Sequence, residues 1–298
     1  MLIGVTGATG FLGRYIARKL VGAGHQCRCW ARPQSDRTGF EGLEKGIEWI
    51  DGDLASKASN APLVRGADAI VHAALYRPGA GFRGAEGDVP TFVERNVLGT
   101  IRLMAAAREA GVKRFVFIST CAVHEIILDD RHLDEAHPLW PTSHYGAHKA
   151  AIEKFVHSYG LSDGWDVCAL RPTGIYGVAQ PITKSKWFDL VGRVKRGEPI
   201  ASDKGGKEVH ADDVAQAVSV LLQADGVAGQ AYNCYDMYVA DQDVAHIAKE
   251  LTDSESEIEE LNHGPLNEIE TKKLRALGVE FGGAVLLEQT IGELVEAV

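Results

Sequence analysis

Along the first two thirds of the chain, short continuous apolar runs alternate with stretches of helical spacing. "LIGV" (2–5) is a short apolar strand, and "FLGRYIARKLVGAG" (11–24) gathers its apolar residues on one helical face before a glycine stop. "QCRCWA" (26–31), "IEWIDGDL" (47–54), "DAIVHAAL" (68–75), "RFVFIST" (114–120) and "WDVCALRP" (165–172) read as further strands. "PTFVERNVLGTIRLMAAAREAG" (90–111) predicts one long amphipathic helix, and "SHYGAHKAAIEKF" (143–155) an alanine-rich one. Apolar strands separated by helices predict an α/β fold, a doubly wound parallel sheet covered on both faces. Such sheets bind ligands beyond the carboxyl ends of their strands, where the strand order reverses.

After about residue 172 the rhythm breaks. Pro181, Pro199 and "SDKGGKE" interrupt shorter elements, and "ADDVAQAVSVLLQA" (211–224) is a helix between brief strands. The expected organisation is a sheet domain over 1–172 and a smaller α/β substrate lobe over 173–298, with some segments returning to the sheet core. "YRPGAGFRGAEGDVP" (76–90), rich in glycine and arginine, is a candidate mobile flap.

Composition narrows the partners. The 298 residues carry a net charge of −10, which argues against nucleic acid, whose binders show a basic surplus. No apolar run approaches the roughly 20 residues a bilayer span requires, so no membrane partner is expected. Five scattered cysteines (Cys27, Cys29, Cys121, Cys168, Cys234) fit buried thiols in a reducing cytoplasm better than a disulfide framework. His144 and His148 share a helical face, but Tyr145 stands where a zinc protease needs its glutamate, so no metal is expected.

"TGATGFLG" (6–13) joins the first strand to the first helix. Gly7, Gly10 and Gly13 allow a tight turn, close approach of a pyrophosphate, and close packing of helix on strand. The helix start adds unpaired N–H groups and a positive dipole end, so a dinucleotide is the expected cofactor. At the end of the second strand an NAD site usually carries Asp or Glu for the ribose hydroxyls. Here Ala31 fills that place and Arg32 follows, a guanidinium suited to a 2′-phosphate, so NADP is expected ahead of NAD. Asp53 could accept from the adenine amino group, and small Ala73 and Ala74 leave room at the next strand's end.

Tyr145 and Lys149 stand four residues apart on one helical face. A free phenol titrates near 10, so acid/base work at neutral pH asks for a shift of about 3 units, about 4 kcal/mol. One cation about 4 Å away, at an effective dielectric near 20, provides about 4 kcal/mol. Lys149 is therefore sufficient in magnitude.

The quoted loop and strands, with "DGDL", "VHAAL", "ERNVLGT", "FVFIST", "YGAHK", "LRPTGIYG" and "VHADDVAQA", resemble in content and order the extended short-chain dehydrogenase/reductase family, especially its epimerase/dehydratase branch. "LLEQTIGELV" (286–295) resembles its closing helix. The resemblance implies a Rossmann domain with Thr120, Tyr145 and Lys149 as catalytic residues: Tyr145 as the acid/base, and Thr120 hydrogen-bonding the substrate oxygen. Ser119, its neighbour, should point the other way, because side chains alternate along a strand. Cofactor contacts are implied at Gly7, Thr9, Gly10, Phe11, Leu12, Gly13, Arg32, Asp53, Leu54, Ala73, Ala74, Asn96, Tyr145, Lys149 and Pro172. A homodimer joined through helices at 91–110 and 144–159 is implied as well.

Sugar dehydratases of the family carry an Asp-Glu pair after the threonine, and Cys121 and Ala122 stand there instead, so dehydration is disfavoured. The expected activity is NAD(P)-dependent oxidoreduction of the epimerase type on a sugar or a related hydroxyl/carbonyl compound. The alternatives are an NADPH-dependent carbonyl reductase or alcohol dehydrogenase, and a non-catalytic NADP(H)-binding regulator. Nucleotide-sugar relatives often show asparagine after the sixth strand and arginine before "H-x-D-D-V-A"; Gly174 and Lys207 stand near those places. Arg77, Arg83, Lys184, Lys186 and Arg193 are possible substitutes in holding a pyrophosphate. His124, where many relatives have tyrosine, either lines the pocket or packs. Asp212 and Asp213 read as a helix cap.

Overall fold

The computed structural model describes residues 1–79, 84, 86–261 and 264–298. Its chain order begins β1 (Leu2–Thr6), α1 (Phe11–Gly22), β2 (Gln26–Ala31), β3 (Ile47–Asp51), α2 (Asn60–Val64), β4 (Ala69–His72), α3 (Val89–Val93), α4 (Gly99–Glu109), β5 (Arg114–Ile118), α5 (His144–Asp163) and β6 (Asp166–Pro172). It continues β7 (Gly174–Tyr176), α6 (Phe188–Lys195), β8 (Ile200–Ala201), β9 (Gly205–His210), α7 (Ala211–Leu221), β10 (Gln230–Cys234) and β11 (Met237–Ala240). It ends α8 (Asp241–Thr252), β12 (Ile258–Glu259), α9 (Lys272–Arg275) and α10 (Gly283–Ala297).

The chain divides into two compact units. The first takes in Met1–Pro172, Val214–Cys234 and Ile269–Val279. It holds a seven-stranded sheet in the order β10-β6-β5-β4-β1-β2-β3, every neighbouring pair parallel. Both faces are covered, so strand residues such as Ile3, Val5, Ile70, Val71, Val116 and Val167 are fully buried, and the runs are apolar rather than alternating. The order reverses between β1 and β4, where Thr6 and His72 are register partners at the carboxyl ends.

The long helix expected over 90–111 is interrupted. α3 passes through a π-helical turn, Glu94–Leu98, before α4 begins. That wide turn carries Asn96, which is buried. α5 starts at Ser143, whose hydroxyl accepts from the Gly146 amide at 3.0 Å, and stops at Gly164 in the left-handed conformation. Two of its glycines are demanded by packing. A Cβ on Gly146 would lie 2.5 Å from the Ala122 carbonyl oxygen, and one on Gly160 1.9 Å from the Gly229 nitrogen.

The second unit takes in Thr173–Asp213, Tyr235–Glu268 and Glu280–Val298. Its sheet has the order β11-β9-β7, and β8 pairs with β12. Tyr176, Val191, Val194, Val244, Ala248, Leu287, Ile291 and Leu294 form its core.

Candidate active site

The glycine loop lies at the switch point of the first unit. Gly7 has φ +75°, and a Cβ there would lie 2.7 Å from the Ala73 carbonyl carbon and the Ala74 nitrogen. A Cβ on Gly13 would lie 2.0 Å from the Gly7 oxygen, so this glycine sets how closely α1 sits on the loop. Gly10 is exposed, with Thr9, Phe11 and Leu12 half-buried around it. The N-cap residue of α1, Gly10, makes no side-chain capping bond, which leaves the first-turn amides to a phosphate. The loop thus fits the pyrophosphate of a dinucleotide.

A buried histidine locks the end of β4 beside this loop. Ala74 N–H donates to Thr6 Oγ1 (3.1 Å), and Thr6 Oγ1 donates to His72 Nδ1 (2.6 Å). His72 Nε2–H donates to Thr100 Oγ1 (2.8 Å), which donates to the Asn96 carbonyl (2.6 Å). This tautomer satisfies every group in the chain with one proton per bond. Full burial, with the nearby Lys149 charge, pushes His72 down to about 3. The Asn96 side chain accepts from Tyr76 N–H at 2.8 Å and donates to the Tyr76 carbonyl at 2.9 Å. Asn96 thereby fixes the backbone just past Ala73 and Ala74, so both polar groups of its amide are engaged with protein.

Arg32 is exposed immediately after β2, and its backbone N–H is bonded to Ser35 Oγ at 3.0 Å. Asp53 is exposed and Leu54 half-buried. One Asp53 oxygen accepts from the Ala55 and Ser56 amides at 2.8 and 3.0 Å, a turn role for that oxygen. Pro172, buried, closes β6.

Thr120 follows β5 and is 8% exposed; its Oγ1 accepts from the Ala122 amide at 3.1 Å. Ser119 points the other way, donating to Glu153 Oε1 at 2.5 Å. Tyr145 is half-buried at the start of α5, its ring 5.4 Å from that of His148. Lys149 is buried, with Nζ donating to the Ile118 carbonyl at 2.7 Å and lying 4.6 Å from the Phe117 ring centre. The spacing with Tyr145 predicts a full cation at Lys149. Burial instead pulls it down to about 7, against the raising influence of Glu153. Cys121 donates its thiol to the Arg171 carbonyl at 2.9 Å, and burial pushes that thiol up to about 12.

Three groups escape the sequence reading. Glu153 and Arg171 form a fully buried ion pair, with Nη2 to Oε2 at 2.6 Å. Arg171 Nη1 also donates to His124 Nε2 at 3.2 Å, while His124 Nδ1–H donates to the Pro138 carbonyl, so His124 packs in this network. Glu86, 6% exposed, accepts from the Tyr145 amide at 3.2 Å, placing a carboxylate at the start of α5. Glu86 sits in the stretch read only as a flap, of which 80–83 and 85, Arg83 among them, lie outside the described residues.

In the second unit, Lys186 pairs with Glu208 and Arg193 with Glu198. Asp213 accepts from the Gly282 amide at 3.1 Å. Among the described residues no three His, Cys, Asp or Glu side chains group as a metal site, and no helix is long and apolar enough to cross a membrane.

The profile of the NAD dependent epimerase/dehydratase family matches residues 3–234. A trifunctional UDP-glucose 4,6-dehydratase/UDP-4-keto-6-deoxy-D-glucose 3,5-epimerase/UDP-4-keto-L-rhamnose-reductase of Arabidopsis thaliana is 28% identical over 301 residues, covering 92% of this chain and 44% of its own. The human dTDP-D-glucose 4,6-dehydratase is 32% identical over 204 residues, 63% of this chain and 57% of its own. The chain thus spans about half the length of these two relatives. A 4-hydroxy-2-methyl-3-oxo-4-farnesyl-3,4-dihydroquinoline-1-oxide ketoreductase of Stigmatella aurantiaca is 28% identical over 279 residues, 83% of this chain and 79% of its own. Among solved structures, a Thermus thermophilus UDP-glucose 4-epimerase complexed with NAD superposes with a TM-score of 0.79 at 24% identity, covering 100% of both chains. A UDP-N-acetylglucosamine 4-epimerase from Methanobrevibacter ruminantium gives 0.81 at 18% identity, covering 99% of this chain and 96% of its own. These two likenesses concern the fold, and the family profile carries the assignment: the chain belongs to the NAD dependent epimerase/dehydratase family.

Proposed function

We propose that this protein is an NAD(P)-dependent oxidoreductase of the epimerase type, acting at a hydroxyl or carbonyl carbon of a sugar or a related compound. The observation that carries the reading is the burial of Lys149 against the end of β5, one helical turn from Tyr145. Tyr145 exchanges a proton with the substrate oxygen, Thr120 Oγ1 donates to that oxygen, and protonated Lys149 favours the phenolate. The dinucleotide, held over Gly7, Gly10 and Gly13, supplies a hydride acceptor and donor when bound. Arg32 favours the 2′-phosphate of NADP. Cys121 and Ala122, a neutral thiol and a methyl group, supply no acid and no base for elimination.

Tyr145→Phe should bind cofactor normally and lower kcat about 10²–10⁴-fold; unchanged turnover would refute the assignment. Arg32→Ala should weaken NADPH about 10–100-fold and leave NADH unchanged, the effect of losing a charge-assisted contact. Tighter binding of NADH than NADPH by the wild type overturns that preference.

A second reading, an NADPH-dependent carbonyl reductase of a small molecule, is favoured by Gly174. A Cβ there would lie 2.6 Å from Glu208 Oε2, so this carboxylate fills the space an asparagine side chain needs. Glu208 also engages Lys186, one of the cations expected to substitute in holding a pyrophosphate, and this disfavours a diphosphate substrate. Dinucleotide released from the freshly purified protein separates the readings: tightly retained cofactor supports the epimerase, and an empty site that takes up NADPH supports the reductase.

The exposed apolar residues Val93, Leu98 and Phe155, 39–44% accessible on the helical segments at 91–110 and 144–159, support a homodimer. Light scattering that returns a monomer mass would sink it. Five buried cysteines, none in a disulfide, support a reducing compartment such as the cytoplasm.

A further inference from the structure

We propose that Glu153 is a positioning residue of this site: its buried carboxylate keeps Lys149 an ammonium and ties α5 to the strand ends that carry Thr120 and Pro172. The proposal rests on the Tyr145–Lys149 reading above. Glu153 lies one turn beyond Lys149 on the same helical face and is fully buried. Its two oxygens accept from Ser119 Oγ at 2.5 Å, from Arg171 Nε at 3.1 Å and from Arg171 Nη2 at 2.6 Å. Ser119 immediately precedes Thr120, and Arg171 immediately precedes Pro172. One carboxylate therefore clamps the helix bearing the proton donor to the ends of both neighbouring strands.

The surroundings of Lys149 give the carboxylate a second role. Around Lys149 are His148 and Glu153 from α5, His72 from β4, and the Ile118 carbonyl and Phe117 ring from β5; Tyr145 lies one turn earlier on α5, and Arg171 from β6 is bonded to Glu153. His72 and His148 are buried and held neutral. The carboxylate in this group is Glu153, and it favours the charged form of Lys149. Without it, burial would act on the Lys149 ammonium unopposed. Arginine cannot release its proton and lysine can, so Lys149 would be the group to neutralise. Tyr145 would then titrate beside an amine rather than an ammonium.

Tyrosinate ultraviolet absorbance reads this without any substrate. The wild-type titration minus that of Tyr145→Phe isolates the Tyr145 midpoint, expected below the ordinary value of about 10. The same difference in a Glu153→Gln background should rise by about one pH unit or more, with cofactor affinity retained. A midpoint that stays or falls in the folded variant overturns the proposal, because loss of a merely structural tie would not raise it. If the wild-type midpoint already sits at the ordinary value, the Tyr145–Lys149 reading has failed instead. Should Glu153→Gln not fold, the Glu153→Leu/Arg171→Met protein replaces the pair with apolar side chains of similar length, often tolerated. The same rise is expected there, and an unmoved midpoint is equally fatal.

Discussion

At the scale of single residues, proton placement decides how this site works, and the groups that matter most are buried bases. His72 is held at about 3, His148 at about 2 and His124 at about 4, each lowered chiefly by desolvation from an ordinary 6.5. The unfolded chain therefore binds more protons than the folded one below pH 6.5. Stability should be full above that value and fall as the pH drops toward 4. For His72 alone the loss between pH 6.5 and 5 is on the order of 2 kcal/mol. Urea titrations at pH 7 and pH 5 should show it. His72→Gln keeps a donor and an acceptor for Thr6 and Thr100 but cannot titrate, so its stability should be flatter with pH, whatever its absolute value. An unchanged pH slope would mean that His72 does not exclude its proton. The histidine is invisible to pattern reading, which sees only one more residue in the apolar run "DAIVHAAL". Its role comes from Thr6 on β1 and Thr100 on α4, distant in sequence and brought to it only by folding.

At the scale of elements, the strands were the legible part. β2, β4, β5 and β6 fall within the quoted runs and β1 passes its own by one residue, Thr6, because a strand buried on both faces is mainly apolar. The glycine loop was legible for a related reason: glycines at a strand–helix junction restrict what the backbone can be doing. Two elements were not. The helix read over 90–111 carries a π turn that no periodicity announces, since widening one turn shifts the apolar stripe by only one residue. β10 lies beyond the point where the rhythm breaks, yet it completes the seven-stranded sheet beside β6. Site legibility divides the same way. Tyr145 and Lys149 are four residues apart on one helix and reveal themselves locally. Glu153 and Arg171 are separated by 18 residues, and only folding turns a surface-like glutamate and a strand arginine into a buried pair. Nor could spacing show that burial brings Lys149 to about 7, which makes its charge conditional on its neighbours.

At the scale of the whole molecule, the chain does not separate into two lobes by a single cut, because the first unit recruits Val214–Cys234 and Ile269–Val279 after the second has begun. The recruited pieces are well anchored. Glu135 accepts from the Asn233 amide at 2.8 Å, Asn233 Nδ2 donates to the Glu270 carbonyl at 3.2 Å, and Lys273 donates to the Gln230 side chain and the Ala231 carbonyl at 2.7 and 2.9 Å. A bridge joins Leu133 to Ile269. A fragment ending at residue 172 would lose β10 and leave β6 as an open edge. Val167, Cys168, Ala169 and Leu170, all fully buried in the intact chain, would line that edge. An apolar edge strand is a template for pairing with another copy, so the fragment should aggregate or lack a cooperative thermal transition, although it retains the glycine loop, Thr120, Tyr145 and Lys149. The intact chain should melt cooperatively under the same conditions. If the 1–172 fragment is instead soluble and monomeric and melts sharply, β10 is dispensable, and the sheet is stable without the segments that return to it.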